Sequence, residues 1–390
     1  MTAARVYLDH NATTPVRPQA AQAVARALAE TGNVSSVHAE GRAARGAVEH
    51  ARAAVAALVG ADAESVTFTS GATEALNLGL TPGITTGAPG PAFRLYISAT
   101  EHAAVLSGHR FPADDVEIVP VLASGLIDLA ALEAALDRNP DSRPLLALQL
   151  ANNETGVIQP VRAAAGLVHA RGGLIIVDAV QAVARITVDA TELNADMLVL
   201  SAHKIGGPPG IGALVRTSPD LHIAAPLVRG GGQERGLRGG TENVPAIAGF
   251  AAAAQIARAE RESEARRLET LRARLEDGLR AISPAITIFG EEAPRLPNTV
   301  AFAHPGAVAE TVLIRFDLAG IALSSGSACS SGRVKSSHVL DAMGVTPDIG
   351  RGMLRASLGW TTQNADIDRF LDAWREASAR FCGAGKTLAA

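Results

Sequence analysis

Short runs of aliphatic and β-branched residues recur along the first half of the chain: Val66–Thr69, Leu95–Ser98, Val116–Val119, Leu145–Leu150, Leu174–Val177, Leu198–Leu200 and Gly212–Val215. Most are continuously apolar rather than alternating, and stretches with helical spacing separate them. Strands that are apolar on both faces predict an α/β fold with a mostly parallel seven-stranded sheet covered by helices. Residues Ala251–Ile282 form a long Ala/Arg/Glu/Leu segment with no glycine or proline before Gly278, which predicts one long helix leading out of that region. The domain boundary is therefore expected near residue 255. Residues 14–255 form the large domain, and 1–13 with 256–390 form a smaller α+β domain. Beyond the boundary, Asn298–Phe302 reads as a strand, Ser324–Gly332 as a Gly/Ser-rich stretch and Ala365–Arg380 as a closing helix.

A chain of 390 residues exceeds the size at which one core stops growing, so two domains with a cleft between them are expected. The net charge of −4 comes from 35 basic and 39 acidic residues mixed along the chain, with no basic stripe for nucleic acid or an anionic membrane. A small molecule is the expected ligand. No stretch approaches the ~20 uncharged apolar residues that span a bilayer. The first residues reach Asp9 and His10 before any apolar run long enough for a signal peptide, so a cytoplasmic location is expected. The two cysteines, Cys329 and Cys382, are too few for a secreted disulfide framework, which leaves room for a working thiol.

In such sheets ligands gather at the carboxyl ends of the strands. Leu174–Val177 ends at Asp178, with Gln181 three residues on, and the run before Ser201 continues into Ala202-His203-Lys204. A carboxylate and a lysine at strand ends are the pair that pyridoxal 5'-phosphate (PLP) needs: the amine bonds the aldehyde and the carboxylate keeps the ring nitrogen protonated. Singly, the aspartate also suits a helix cap and the lysine a solvated surface. Ser70-Gly71-Ala72-Thr73-Glu74 follows Val66–Thr69 and offers backbone N–H groups and hydroxyls to a phosphate, or simply a helix start. His102 could lie on a flat cofactor or be a buried structural histidine. Asn152-Asn153-Glu154 could be a polar turn. Glycines 206, 207, 210 and 212 do not make a dinucleotide loop, because Pro208 and Pro209 remove donors and no helical pattern follows.

Together and in this order, these motifs resemble the cysteine desulfurases of the housekeeping and nitrogen-fixation type, which feed iron–sulfur cluster assembly and belong to the fold type I, aspartate-aminotransferase-like PLP enzymes of the class V aminotransferase family. The matching strings include Tyr7-Leu8-Asp9, Asn11-Ala12-Thr13-Thr14-Pro15, Ser70–Glu74, Thr100-Glu101-His102, Asn152-Asn153-Glu154, Ser201–Lys204, Gly230–Gly236, Gly240-Thr241, Ser324–Cys329 and Arg355–Gly359. They span nearly the whole chain.

The resemblance implies that Lys204 is the Schiff-base lysine and proton carrier, and that Asp178 pairs with the pyridine nitrogen. Gln181 would bond the ring hydroxyl, while His102 stacks on the ring and shuttles a proton. Ala72, Thr73, Ser201 and His203 would hold the phosphate, joined by Thr241 from the other subunit of a homodimer. Asn153 and Arg355 would grip the carboxylate of L-cysteine. Cys329 would take the sulfur as a persulfide, alanine would leave, and a scaffold or other acceptor protein would receive the sulfur. No metal ligand set, membrane contact or direct nucleic-acid contact is implied.

Two departures stand out. His10 replaces an uncharged polar or aromatic residue, and Arg333–His338 is more basic than the Glu-Pro-bearing version common in the family. The loop keeps the length of the group that hands sulfur directly to a scaffold, whereas the chain after Arg380 is short for a scaffold-docking tail. Rival readings are a selenocysteine lyase, an aminotransferase on the same fold, or an inactive platform for sulfur-transfer proteins. Cys329 argues against the first two, and Lys204 with Cys329 against the third.

Overall fold

The computed structural model describes residues 5–87, 90, 92–326 and 337–379. A seven-stranded sheet carries strands in the order Val66–Thr69, Gly212–Arg216, Met197–Ser201, Leu174–Asp178, Arg143–Gln149, Phe93–Ser98, Val116–Val119. From Met197–Ser201 to Val116–Val119 every pairing is parallel, and Gly212–Arg216 runs antiparallel to both of its neighbours. Val66–Thr69 and Val116–Val119 coincide with the predicted runs, and the other strands differ from theirs by one or two residues at one or both ends.

Alternation across these strands explains their continuous apolarity. Leu146, Leu148, Ile175, Val177, Leu198 and Leu200 belong to a buried cluster on one face. Leu145, Ala147, Leu174, Ile176, Met197 and Val199 belong to a cluster on the other. Both faces are covered, so neither set can be polar.

The long helix spans Val244–Ile282 and starts seven residues before the predicted Ala251, after an Asn243 cap whose side chain accepts the Ala246 N–H. Its first half, through Ala257, packs on the large sheet, and from Leu268 to Leu279 it joins a different cluster with Val6, Leu8, Phe302, Phe316, Phe370 and Trp374. Trp374 meets Phe302 edge to face at 5.3 Å. We propose that these clusters mark the two domains, 14–255 and 1–13 with 256–390.

The second cluster lies under an antiparallel sheet in the order Thr287–Ile288, Thr299–Ala303, Leu354–Ser357, Ser324–Ser325. Val6–Tyr7 pairs in parallel with Ile321–Ala322 beside it. The closing helix is Asn364–Ser378; Arg380 lies outside the described residues. Among the described residues no helix is long and apolar enough to cross a membrane.

Candidate active site

The carboxyl ends of the large sheet open on a cavity of about 470 Å³, walled on the far side by residues of the antiparallel sheet. Ala72, Thr73, His102, Asn153, Asp178, Gln181, Ser201, His203, Lys204 and Arg355 all line it.

One end is a cluster of donors. The helix Ala72–Gly79 starts directly after Val66–Thr69, and its cap Gly71 has no side chain to satisfy the first N–H groups. The neighbouring strand comes so close that a Cβ on Gly212 would lie 2.6 Å from the Gly71 carbonyl carbon. His203 Nδ1 lies 3.2 Å from Thr13 Oγ1. Burial, aided by the Lys204 charge, lowers its pKa to about 4, so the ring is neutral at neutral pH.

The floor is ionic. Asp178 ends Leu174–Asp178, and its Oδ1 accepts the Val180 N–H at 2.9 Å. Burial raises its pKa, against the pull of that N–H, His102 and Lys204. Lys204 closes the short turn after Met197–Ser201, and Nζ donates to the carbonyls of Asn11 (2.5 Å) and Ala12 (2.8 Å). Burial, then Arg185 and Arg355, lower its pKa to about 8. An amine so placed is partly unprotonated near neutral pH, as a nucleophile needs to be.

His102 caps the short helix Ala103–Leu106, its Nδ1 accepting the Ala104 N–H at 3.0 Å. That contact leaves the ring proton on Nε2, and burial lowers the pKa. Gln181 is engaged at both ends of its amide: Nε2 donates to Asn11 O at 3.0 Å and Oε1 accepts from Arg185 Nη1 at 2.9 Å. Only one of its N–H bonds stays available to a ligand.

The far wall presents Arg355 from the middle of Leu354–Ser357. Its Nη1 donates to Asn153 O at 3.0 Å and its Nη2 pairs with Asp9 Oδ1 at 2.7 Å. Thr241 is exposed and lies in a separate depression with Ser70, Glu234 and Arg238. Within one chain it is not brought to Ala72 and Thr73. Cys329 and Cys382 lie outside the described residues, but Ser324, Ser325 and Gly326, which lead toward Cys329, line the cavity.

Several residues that shape the site carried no assigned role in the sequence. Arg185 is buried with its guanidinium on Gln181 and on the His10 carbonyl, and its position four residues after Gln181 is the only local signal. Asn11 donates to Asn153 O and Thr299 Oγ1 and accepts from Asn298, tying the N-terminal segment to both sheets. Glu154 is buried, accepts the Ser337 hydroxyl and has its pKa pushed by burial to about 7. His10 is buried between Thr14 and Thr361, and burial with Arg185 and Arg267 lowers its pKa to about 3. Among the described residues no group of three or more His, Cys, Asp or Glu side chains could hold a metal ion.

The arrangement fits a flat, anionic, carbonyl-bearing cofactor: free N–H groups and neutral hydrogen-bonding side chains at one end, a carboxyl at the other and an amine of lowered pKa between. Residues 6–370 match the family model described as Aminotransferase class-V. The chain is 43% identical over 376 residues to a cysteine desulfurase of Cereibacter sphaeroides, covering 94% of each chain. It superposes on the X-ray structure of a NifS-like protein from Rickettsia africae with a TM-score of 0.86 and 34% identity, over 95% of this chain and 99% of that one. A structure of SspA in complex with cysteine matches with a TM-score of 0.75 and 29% identity, covering 90% and 98%. The chain therefore belongs to the cysteine desulfurases within the class V aminotransferase family.

Proposed function

We propose that the protein removes sulfur from L-cysteine with PLP as cofactor, releasing L-alanine and leaving a persulfide on Cys329. The observation that carries this reading is the convergence of Asp178 and Lys204, from the ends of adjacent parallel strands, with Arg355 from the other sheet around one cavity. Bound PLP supplies an electron-accepting ring that lets the substrate carbons carry negative charge.

The chain's own residues do the rest. The N–H groups of Ala72 and Thr73 with Ser201 and His203 hold the phosphate, and Asp178 holds the ring nitrogen. Gln181 donates to the ring hydroxyl with its remaining N–H. Arg355 and Asn153 hold the substrate carboxylate, and Lys204 takes and returns the proton at the α-carbon. His102, with its proton on Nε2, covers the ring and relays protons. The Cys329 thiolate then attacks the substrate sulfur. A sulfur–sulfur bond forms, the carbon–sulfur pair stays with carbon, and protonation there gives alanine. Thr241 completes the phosphate site of a partner copy in a homodimer, the persulfide passes to an iron–sulfur scaffold or another acceptor, and the enzyme works in the cytoplasm.

The test is a purified protein assayed for visible cofactor absorption, and for alanine and sulfide from L-cysteine with a reductant, beside Cys329→Ala. A coloured wild type that forms both products, with turnover lost but colour retained in the variant, is the expected result. A coloured protein that leaves cysteine untouched moves the function to another amino acid, and a colourless one that cannot bind PLP removes the reading.

A further inference from the structure

The Tyr7-Leu8-Asp9 string has no role in the chemistry above, yet the Asp9 carboxylate is the partner of the guanidinium assigned to the substrate. Arg355 Nη2 donates to Asp9 Oδ1 at 2.7 Å, and their side chains are only 6% and 20% exposed. Nη1 donates to the Asn153 carbonyl at 3.0 Å. Arg355 Nε is buried and has no hydrogen-bond partner.

The Asp9 backbone is held in place beside Arg355. It forms a parallel bridge with Ser357, two residues from Arg355 on the same strand. On either side of it, His10 N donates to Ser357 O at 3.1 Å and Ser357 N donates to Leu8 O at 2.8 Å. Its own carbonyl accepts the Ala12 N–H at 3.1 Å. An incoming carboxylate thus meets a guanidinium that already carries one fixed anion in a largely water-excluded site. It can add to the unused N–H groups beside Asp9, or the guanidinium must leave Asp9. Either course costs free energy, through like-charge repulsion or through a broken ion pair.

We propose that Asp9 is the resident counter-ion of Arg355, a positioning residue that holds the guanidinium in the empty site and sets how tightly an α-carboxylate is admitted. This rests on the reading that Arg355 binds the substrate carboxylate. Asp9 weakens carboxylate binding and in return keeps Arg355 aimed at the cavity without a ligand. Its effect is specific to ligands bearing that anion.

The experiment titrates the PLP-loaded enzyme with L-alanine and with L-alaninamide, which keeps the amine and the shape but lacks the carboxylate charge, reading the visible absorption. Asp9→Asn and Asp9→Ser are compared with wild type, and thermal unfolding shows that each is folded. Wild type is expected to prefer L-alanine. Both variants are expected to bind L-alanine about tenfold more tightly, the equivalent of one partly buried charge contact, with L-alaninamide shifting less than twofold. For L-cysteine turnover, KM is expected to move further than kcat. Unchanged or weaker L-alanine binding in both folded variants overturns the proposal, as does an equal gain for both ligands. A wild type that binds the two ligands equally removes the carboxylate grip of Arg355, and the Asp9 proposal with it.

Discussion

The two sheets that meet at the cavity contribute in different ways. The central strands of the seven-stranded sheet are buried on both faces, so polar residues come at strand ends: Ser70, His102, Asp178 and Lys204 each follow an apolar run. The antiparallel sheet has one face on its own core and the other shared between the site and a second apolar cluster around Ala301, Ala303 and Met353. Leu354 and Ala356 join the aliphatic cluster, while Arg355 and Ser357 alternate to the opposite face. One sheet builds the floor on which we propose the cofactor lies, and the other hands across Arg355, the cation we assign to the substrate carboxylate. Chemistry and affinity are therefore separable by region.

The sharpest test of that separation is Lys204→Ala, which removes the residue we propose as proton carrier and is expected to lower kcat by about 10²–10⁴-fold and to abolish the visible absorption of lysine-bound cofactor. In the other core, Trp374→Ala is expected to cost about 3–5 kcal/mol of stability, seen as a lowered unfolding midpoint, by emptying the space against Phe302. Absorption typical of bound cofactor in that variant at a temperature where it is still folded would support the division of labour, and its loss would break it. Arg355→Lys is expected to raise KM for L-cysteine by roughly 10- to 100-fold while the absorption persists, because a forked, charge-assisted contact worth ~1.5–3 kcal/mol is lost.

The smallest effect concerns Glu154, whose carboxyl accepts the Ser337 hydroxyl and stands where a Cβ on Gly326 would come within 2.6 Å of Oε2. Its pKa is raised to about 7 in the folded protein, so folding favours the protonated form. That contribution is present at acid pH and is lost as pH rises from the ordinary carboxylate range through about 7. Glu154→Gln is expected to unfold close to wild type at pH 5 and at a higher temperature than wild type at pH 8. An unfolding midpoint difference that does not change with pH would remove the buried carboxyl from the account.

The floor was legible because each strand end is a step from apolar to polar within one or two residues, and Leu174-Ile175-Ile176-Val177-Asp178 shows the step plainly. Of the antiparallel sheet only Thr299–Ala303 was legible, as the strand-like run Asn298–Phe302. Thr287–Ile288 and Ser324–Ser325 are two residues long, too short for any period to emerge, and their registers are set by other strands, Thr299–Ala303 for the first and Leu354–Ser357 for the second. The long helix was read from Ala251, the start of the stretch free of glycine and proline, although Gly249 lies inside it and Pro245 in its first turn, after an Asn cap, marks a beginning. The partners of Asp9 and Glu154 were not legible because they stand 346 and 183 residues away, at Arg355 and Ser337, and of the contacts of Arg185 only Gln181 is local, the His10 carbonyl lying 175 residues away.

Those separations also govern the order of events in the cell. The Asp9–Arg355 pair and the pairing of Val6–Tyr7 with Ile321–Ala322 join segments synthesised more than 300 residues apart. The large sheet has its strands once residue 216 has emerged, whereas the wall opposite it waits for the strand at 354–357. During translation the strand ends that carry Asp178 and Lys204 are therefore made well before the wall that faces them. Contacts of such high order are slow to form, and the long interval is when a chaperone or the free cofactor would meet the chain.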